Sequence, residues 1–204
     1  MVLLLLAALA TADDVAVAPL PEAAPEGLSE AVRKELAGEG LRVTRGGKPW
    51  MDLWLRKDVP LQPAQENLQL RYTMLKPGTL VGALRVPGVT PDYRGQKLQP
   101  GAYTLRYAVQ PEDGDHQGVS DFKDFLLPAP AAADPAPGPM ALDALNKISA
   151  KAVGKKHPAV LYLVPAGDGD LPRLEHEAAR EQWTLVCATG PLRLGIVVVG
   201  KAEE

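Results

Sequence analysis

Apolar and polar residues alternate most cleanly between Gly101 and Gln110. Tyr103, Leu105, Tyr107 and Val109 share one face, and Ala102, Thr104, Arg106, Ala108 and Gln110 share the other. A period of two with aromatic and β-branched residues predicts a half-buried strand. Pro100-Gly101 turns the chain into it. Pro111 ends it, because proline has no N–H to give to a ladder.

Other segments carry weaker versions of the same signal. Leu41–Thr44 and Trp50–Arg56 flank Gly46-Gly47 and predict a hairpin. Leu68–Met74 alternates weakly, Lys76-Pro77-Gly78 is a turn, and Thr79–Val86 predicts a strand. Ala159–Val164, Gln182–Ala188 and Leu192–Val199 predict three more, the last strongly apolar. Helical spacing occurs twice. Leu28, Val32 and Leu36 lie one turn apart before Gly38, and Met140–Val153 runs to a stop at Gly154. Many short strands and few helices point to a mostly β fold. The expected architecture is an antiparallel β-sandwich with one or two short helices.

Pro128–Pro139, PAPAAADPAPGP, predicts an extended, semi-rigid connection. The part beyond it, one helix and three strands, would be marginal alone, so its strands should complete the sheets of the first part. The expected organisation is a signal peptide over 1–12, an Ala/Pro-rich arm over 13–27, and one sandwich domain over 28–204 with its connection at 128–139.

Composition adds an address. Val2–Ala10 is unbroken apolar sequence, and Ala10-Thr11-Ala12 fits the small-x-small rule for signal cleavage. The run is too short for a stable bilayer span. Export to the periplasm or the extracellular space is expected, with no integral membrane segment after cleavage. The 204 residues carry a net charge of −3, which gives no electrostatic case for nucleic acid or for an anionic membrane surface. Cys187 is the single cysteine, so no intrachain disulfide can form, and its place between Leu185 and the strand end predicts a buried, inert thiol.

Two constellations suggest ligands. Asp113 to Asp124 places Asp113, Asp115, Gln117, Asp121 and Asp124 at positions 1, 3, 5, 9 and 12 of a twelve-residue loop with Gly118 at position 6, the spacing of a calcium-binding loop. Gln at position 5 and Asp at position 12 depart from the usual pattern, and neither flank reads as a helix. The same residues also suit an acidic connection between strands. The second constellation is Trp50, Asp52 and Trp54, alternate residues of one predicted strand. Two indoles beside a carboxylate could stack a sugar ring and bind its hydroxyls, or they could be core anchors. No nucleophile elbow, zinc-protease helix motif, Walker loop or dinucleotide fingerprint occurs, and no catalytic residue is assigned. Of His116, His157 and His176, only His116 has acidic neighbours suited to a metal. A metal-dependent hydrolase around it is the enzymatic alternative.

At GKPWMDLWLRKDVP, at GTLVGALRV followed by DYRGQKLQPGAYTLRYAVQPEDGDHQGVSDFKDFLL, and at HPAVLYLV, the chain resembles a group of uncharacterised exported bacterial proteins. The resemblance covers most of the mature chain. It implies a bacterial exported protein and brings no activity, ligand or site residue. The expected function is therefore a non-enzymatic binding or structural role in the periplasm or cell envelope. Calcium is the one candidate cofactor, and an envelope protein or a glycan the candidate partner.

Overall fold

A computed structural model describes residues 14–111 and 121–202. Strand β1 (Val15–Leu20) leads to helix α1 (Glu30–Glu35), then to β2 (Gly40–Arg45) and β3 (Lys48–Leu55). An irregular stretch, 56–79, precedes β4 (Leu80–Val86), the short pair β5 (Thr90–Pro91) and β6 (Lys97–Leu98), and the long β7 (Gly101–Val109). The chain continues through β8 (Asp124–Pro130), helix α2 (Leu142–Val153), β9 (Leu161–Val164), β10 (Arg173–Glu177), β11 (Gln182–Thr189) and β12 (Leu192–Val199).

Local chemistry explains most of these boundaries. Ser29 caps α1, its Oγ accepting from the Val32 N–H at 3.1 Å. Gly154 takes the left-handed conformation, φ 62°, and ends α2. Gly46 and Gly47 both have positive φ, 57° and 73°, which a tight hairpin turn between β2 and β3 requires.

Ten strands form one antiparallel sheet in the order β1-β2-β3-β4-β7-β8-β9-β12-β11-β10. This corrects the sandwich expectation. The fold is mostly β with two helices, as the pattern predicts, but the strands do not divide into two facing sheets. Pairing never breaks from β1 to β10, and a sheet of this size curls as its twist accumulates. The result is a nearly closed barrel. The Pro/Ala stretch contributes to that continuity: Pro128–Pro130 belong to β8, and only 131–139 cross the outside of the barrel. Leu68–Met74 forms no strand, while β10, with its sequence RLEHE, carries too little apolar signal to be anticipated.

The interior is filled by side chains such as Met51, Leu53, Leu84, Leu105, Leu126, Leu185, Leu194 and Ile196. Tyr103, Leu105 and Tyr107 of β7 face this core, as their alternation predicts. Two outer patches are covered as well. Leu20, Ala24, Leu28, Val32 and Leu36 pack on Trp54, Leu80 and Ala83, so the N-terminal arm and α1 shield β3 and β4. Helix α2 lays Leu145 over Ala108, Leu127, Ala129 and Val160.

Each end of the barrel is stoppered. Val59, Tyr72 and Leu75, from the irregular stretch between β3 and β4, enter the core at one end. At the other, Ala152 and Val153 of α2 join Leu98. Among the described strands, β1 and β10 are the two edges that meet at the seam. Pro19 in β1 lacks a donor, and β10 presents Arg173, Glu175, His176 and Glu177. Both features discourage pairing along an edge. Bonds across the barrel hold the seam in place: Trp50 Nε1 donates to the Val198 carbonyl at 2.8 Å, and Thr189 Oγ1 donates to the Arg56 carbonyl.

Candidate functional site

The Trp50, Asp52 and Trp54 face is not one face. A bulge opposite Val43 and Thr44 leaves Trp50 as the extra residue of β3. Trp50 turns towards the barrel core and is half-buried, with the Arg45 guanidinium over its ring at 5.2 Å. Trp54 points outward but is fully buried under the N-terminal arm, and its Nε1 donates to the Glu22 carbonyl at 2.7 Å. The indoles thus lie in different apolar clusters, and Trp54 offers no ring to a ligand. The bulge that separates them has no signature in the alternation.

Asp52 is buried between two arginines. Arg42 donates to both of its oxygens, at 2.7 and 3.1 Å, and Arg85 Nε donates at 2.8 Å. Arg85 also reaches Glu22 at 2.9 Å. Burial raises the Asp52 pKa, but hydrogen bonds from Arg42 and Arg85 outweigh it and hold the carboxyl below its ordinary value. A depressed pKa means that stabilisation is present above the unfolded value, near 4, and is lost as pH falls through the folded one. Asp52→Asn should therefore lower stability at neutral pH and flatten the acid limb below about pH 4. Urea midpoints measured across that range test this. An acid limb as steep in the variant as in the wild type would assign it to other carboxylates.

The acidic loop lies partly outside the described residues, which exclude Asp113, Asp115, His116 and Gln117. Its last two candidates are described and engaged elsewhere. Asp121 is exposed and accepts from Arg180 at 2.7 Å. Asp124 is fully buried in the barrel. Its oxygens accept from the Tyr107 hydroxyl at 2.6 Å, the Arg71 N–H at 2.7 Å and the Tyr72 N–H at 3.3 Å. Burial pushes its pKa up, against those same hydrogen bonds. Among the described residues no three His, Cys, Asp or Glu side chains gather to hold a metal.

His157 and His176 are both exposed. His176 stacks on Trp183 with ring centroids 4.2 Å apart, so it acts as a cross-strand partner on the β10 edge.

An apolar cleft of about 330 Å³ lies beside the seam. Pro19 at the end of β1, Leu41 of β2, and Leu53 and Leu55 of β3 form one wall; Leu171, just before β10, and Cys187 of β11 form the other. The cleft lies beside the two edges of the sheet, β1 and β10, which do not pair. Glu39 is the one charged residue lining it and is exposed. Cys187 is 2% exposed, and burial pushes its thiol up to about 12, so it stays protonated and unreactive at neutral pH. The lining supplies apolar surface without an activated nucleophile or a paired acid and base. No sequence motif marks the cleft, because its walls come from residues far apart in the chain.

Comparison with known protein families, characterised proteins and solved structures finds no match.

Proposed function

We propose that this is an exported, non-enzymatic binding protein of the periplasm or cell envelope, with the seam cleft as the seat for a small apolar ligand. The cleft carries the reading. Its volume falls at the low end of the range for small-molecule sites, and its walls are mostly leucine, proline and alanine. Such a lining favours a compact lipophilic group through desolvation. The apolar run at Val2–Ala10 supports export. The groups that surround the cleft support retention of a ligand rather than its conversion.

An environment-sensitive naphthalene dye tests the seat. Saturable binding of about one dye per chain is expected. Ala188 lines the cleft and is exposed, so Ala188→Trp should fill the seat while leaving the melting temperature unchanged. The expected effect is at least a tenfold loss of dye affinity. Dye binding that is absent, or that the tryptophan does not weaken, would remove the cleft as a binding seat.

A further inference from the structure

Antiparallel alternation puts the starts of β1, β3, β7, β9 and β11 at one end of the barrel. Helix α2 finishes at that end, where Ala152 and Val153 stopper the core. Lys151, Lys155 and Lys156 lie on and just beyond its last turn, and all are exposed. The β5–β6 hairpin sits beside them and carries Arg94 and Lys97, also exposed.

The two segments are fixed to one another. The Gln99 N–H donates to the Ala152 carbonyl at 3.3 Å, Gln96 Nε2 to the Pro158 carbonyl at 2.9 Å, and the Tyr93 N–H to the Val160 carbonyl at 3.0 Å. Asp92 lies buried beneath the hairpin, where it accepts from the backbone N–H groups of Arg94, Gln96 and Val160. The cations therefore stand on a rigid base. Among the described residues, no ion pair engages Arg94, Lys97, Lys151, Lys155 or Lys156. Lys151 complements the helix C-terminus. That does not account for the others, which lie beyond the helix or on a different element. Val89 stands beside the hairpin, 54% exposed.

We propose that the surface formed by the C-terminus of α2 and the β5–β6 hairpin docks on an anionic phospholipid surface. The cations face the headgroup phosphates, and Val89 meets the apolar boundary below them. Cations together with an exposed apolar residue are what an interfacial contact needs. Single-stranded nucleic acid fits less well, since it wants aromatic platforms. The aromatic ring of the hairpin, Tyr93, is instead stacked on Tyr162 at 4.6 Å. The proposal is independent of the cleft.

Co-sedimentation of the full-length chain with vesicles tests it. Vesicles of phosphatidylcholine with phosphatidylglycerol are compared with phosphatidylcholine alone, so that partitioning of the apolar run is separated from charge. Each cation near an anionic surface adds roughly fivefold. Removing three by Lys97→Ala, Lys155→Ala and Lys156→Ala should weaken binding to the anionic vesicles by about a hundredfold. Salt near 1 M, where the screening length is about 3 Å, should abolish it. Lys34→Ala, Lys57→Ala and Lys76→Ala remove the same charge from elsewhere and should have far less effect. Equal binding to neutral and anionic vesicles would overturn the proposal. So would equal losses in the two triple variants, or capture by a polyanionic protein with none by the anionic vesicles.

Discussion

Arg106→Ala should cost about 4 kcal/mol of stability and lower the melting temperature by roughly 10 °C, in line with other single-partner deletions of buried ion pairs. Arg106 and Asp134 are both fully buried. Arg106 Nε and Nη2 donate to the two oxygens of Asp134 at 2.6 and 2.8 Å. Nη1 donates to the Gly78 and Gly138 carbonyls at 2.7 Å each, and Nη2 also donates to the Ala136 carbonyl at 2.5 Å. A guanidinium has five N–H groups in a fixed fork, and each of them is used. Asp134 receives a further bond from the Thr104 hydroxyl.

One side chain thus holds the outer connection against β7 and β4. Alanine would leave a buried carboxylate and a set of carbonyls without their donor. The backbone there is close-packed: a Cβ on Gly78 would fall 1.8 Å from the Met140 carbonyl oxygen. Relaxation can do little to relieve the loss. Replacing both partners with apolar residues, Arg106→Met with Asp134→Leu, should recover part of it, because no unpaired charge remains. Chemical denaturation of the single and double variants measures both effects. A double variant no more stable than Arg106→Ala would show that the stranded carbonyls, rather than the stranded charge, set the cost.

That ion pair also shows where the sequence was readable and where it was not. Alternation gave β7 and its core face correctly, since Tyr103, Leu105 and Tyr107 point inward. It also gave the β2–β3 hairpin, both helices, β4, β11 and β12 to within a few residues. Arg106 lies on the other face of β7, whose burial alternation leaves open. Alternation distinguishes two faces but not whether the second is covered, and here a segment far along the chain covers it. Closure was illegible for the same reason. Sandwich and barrel have the same strands, and they differ in which strands pair across long loops. The Trp50 and Trp54 pairing failed on a single bulge residue. Asp124 reads from the sequence as position 12 of a calcium-loop spacing, but the donors it meets in the fold come from Tyr72, Arg71 and Tyr107.

Those donors make Asp124→Ala the second large effect, a loss of about 3 to 5 kcal/mol. The carboxylate closes two segments at once. It ends the acidic connection at the start of β8, and through the Arg71 and Tyr72 N–H groups it pins the irregular stretch that stoppers the barrel. Tyr72 then threads its hydroxyl between β9 and β12, donating to the Val164 carbonyl at 2.6 Å and accepting from the Gly195 N–H at 2.9 Å. Without Asp124, the Tyr107 hydroxyl and the Tyr72 N–H lie buried and unpaired, the Arg71 N–H loses its acceptor, and the anchoring of Tyr72 weakens. The first region to open should be 61–70, where Leu68 is already 90% exposed. Hydrogen exchange should rise there, and at the Leu75 amide, well before it rises in β11 and β12. Asp124→Asn should fall between wild type and alanine, since one oxygen remains to accept while its amide faces another donor. Calcium separates the two roles considered for this residue. An anchoring carboxylate gives the same loss with or without millimolar calcium. A wild-type protein that calcium stabilises, and an Asp124→Ala variant that it does not, would instead make Asp124 a ligand.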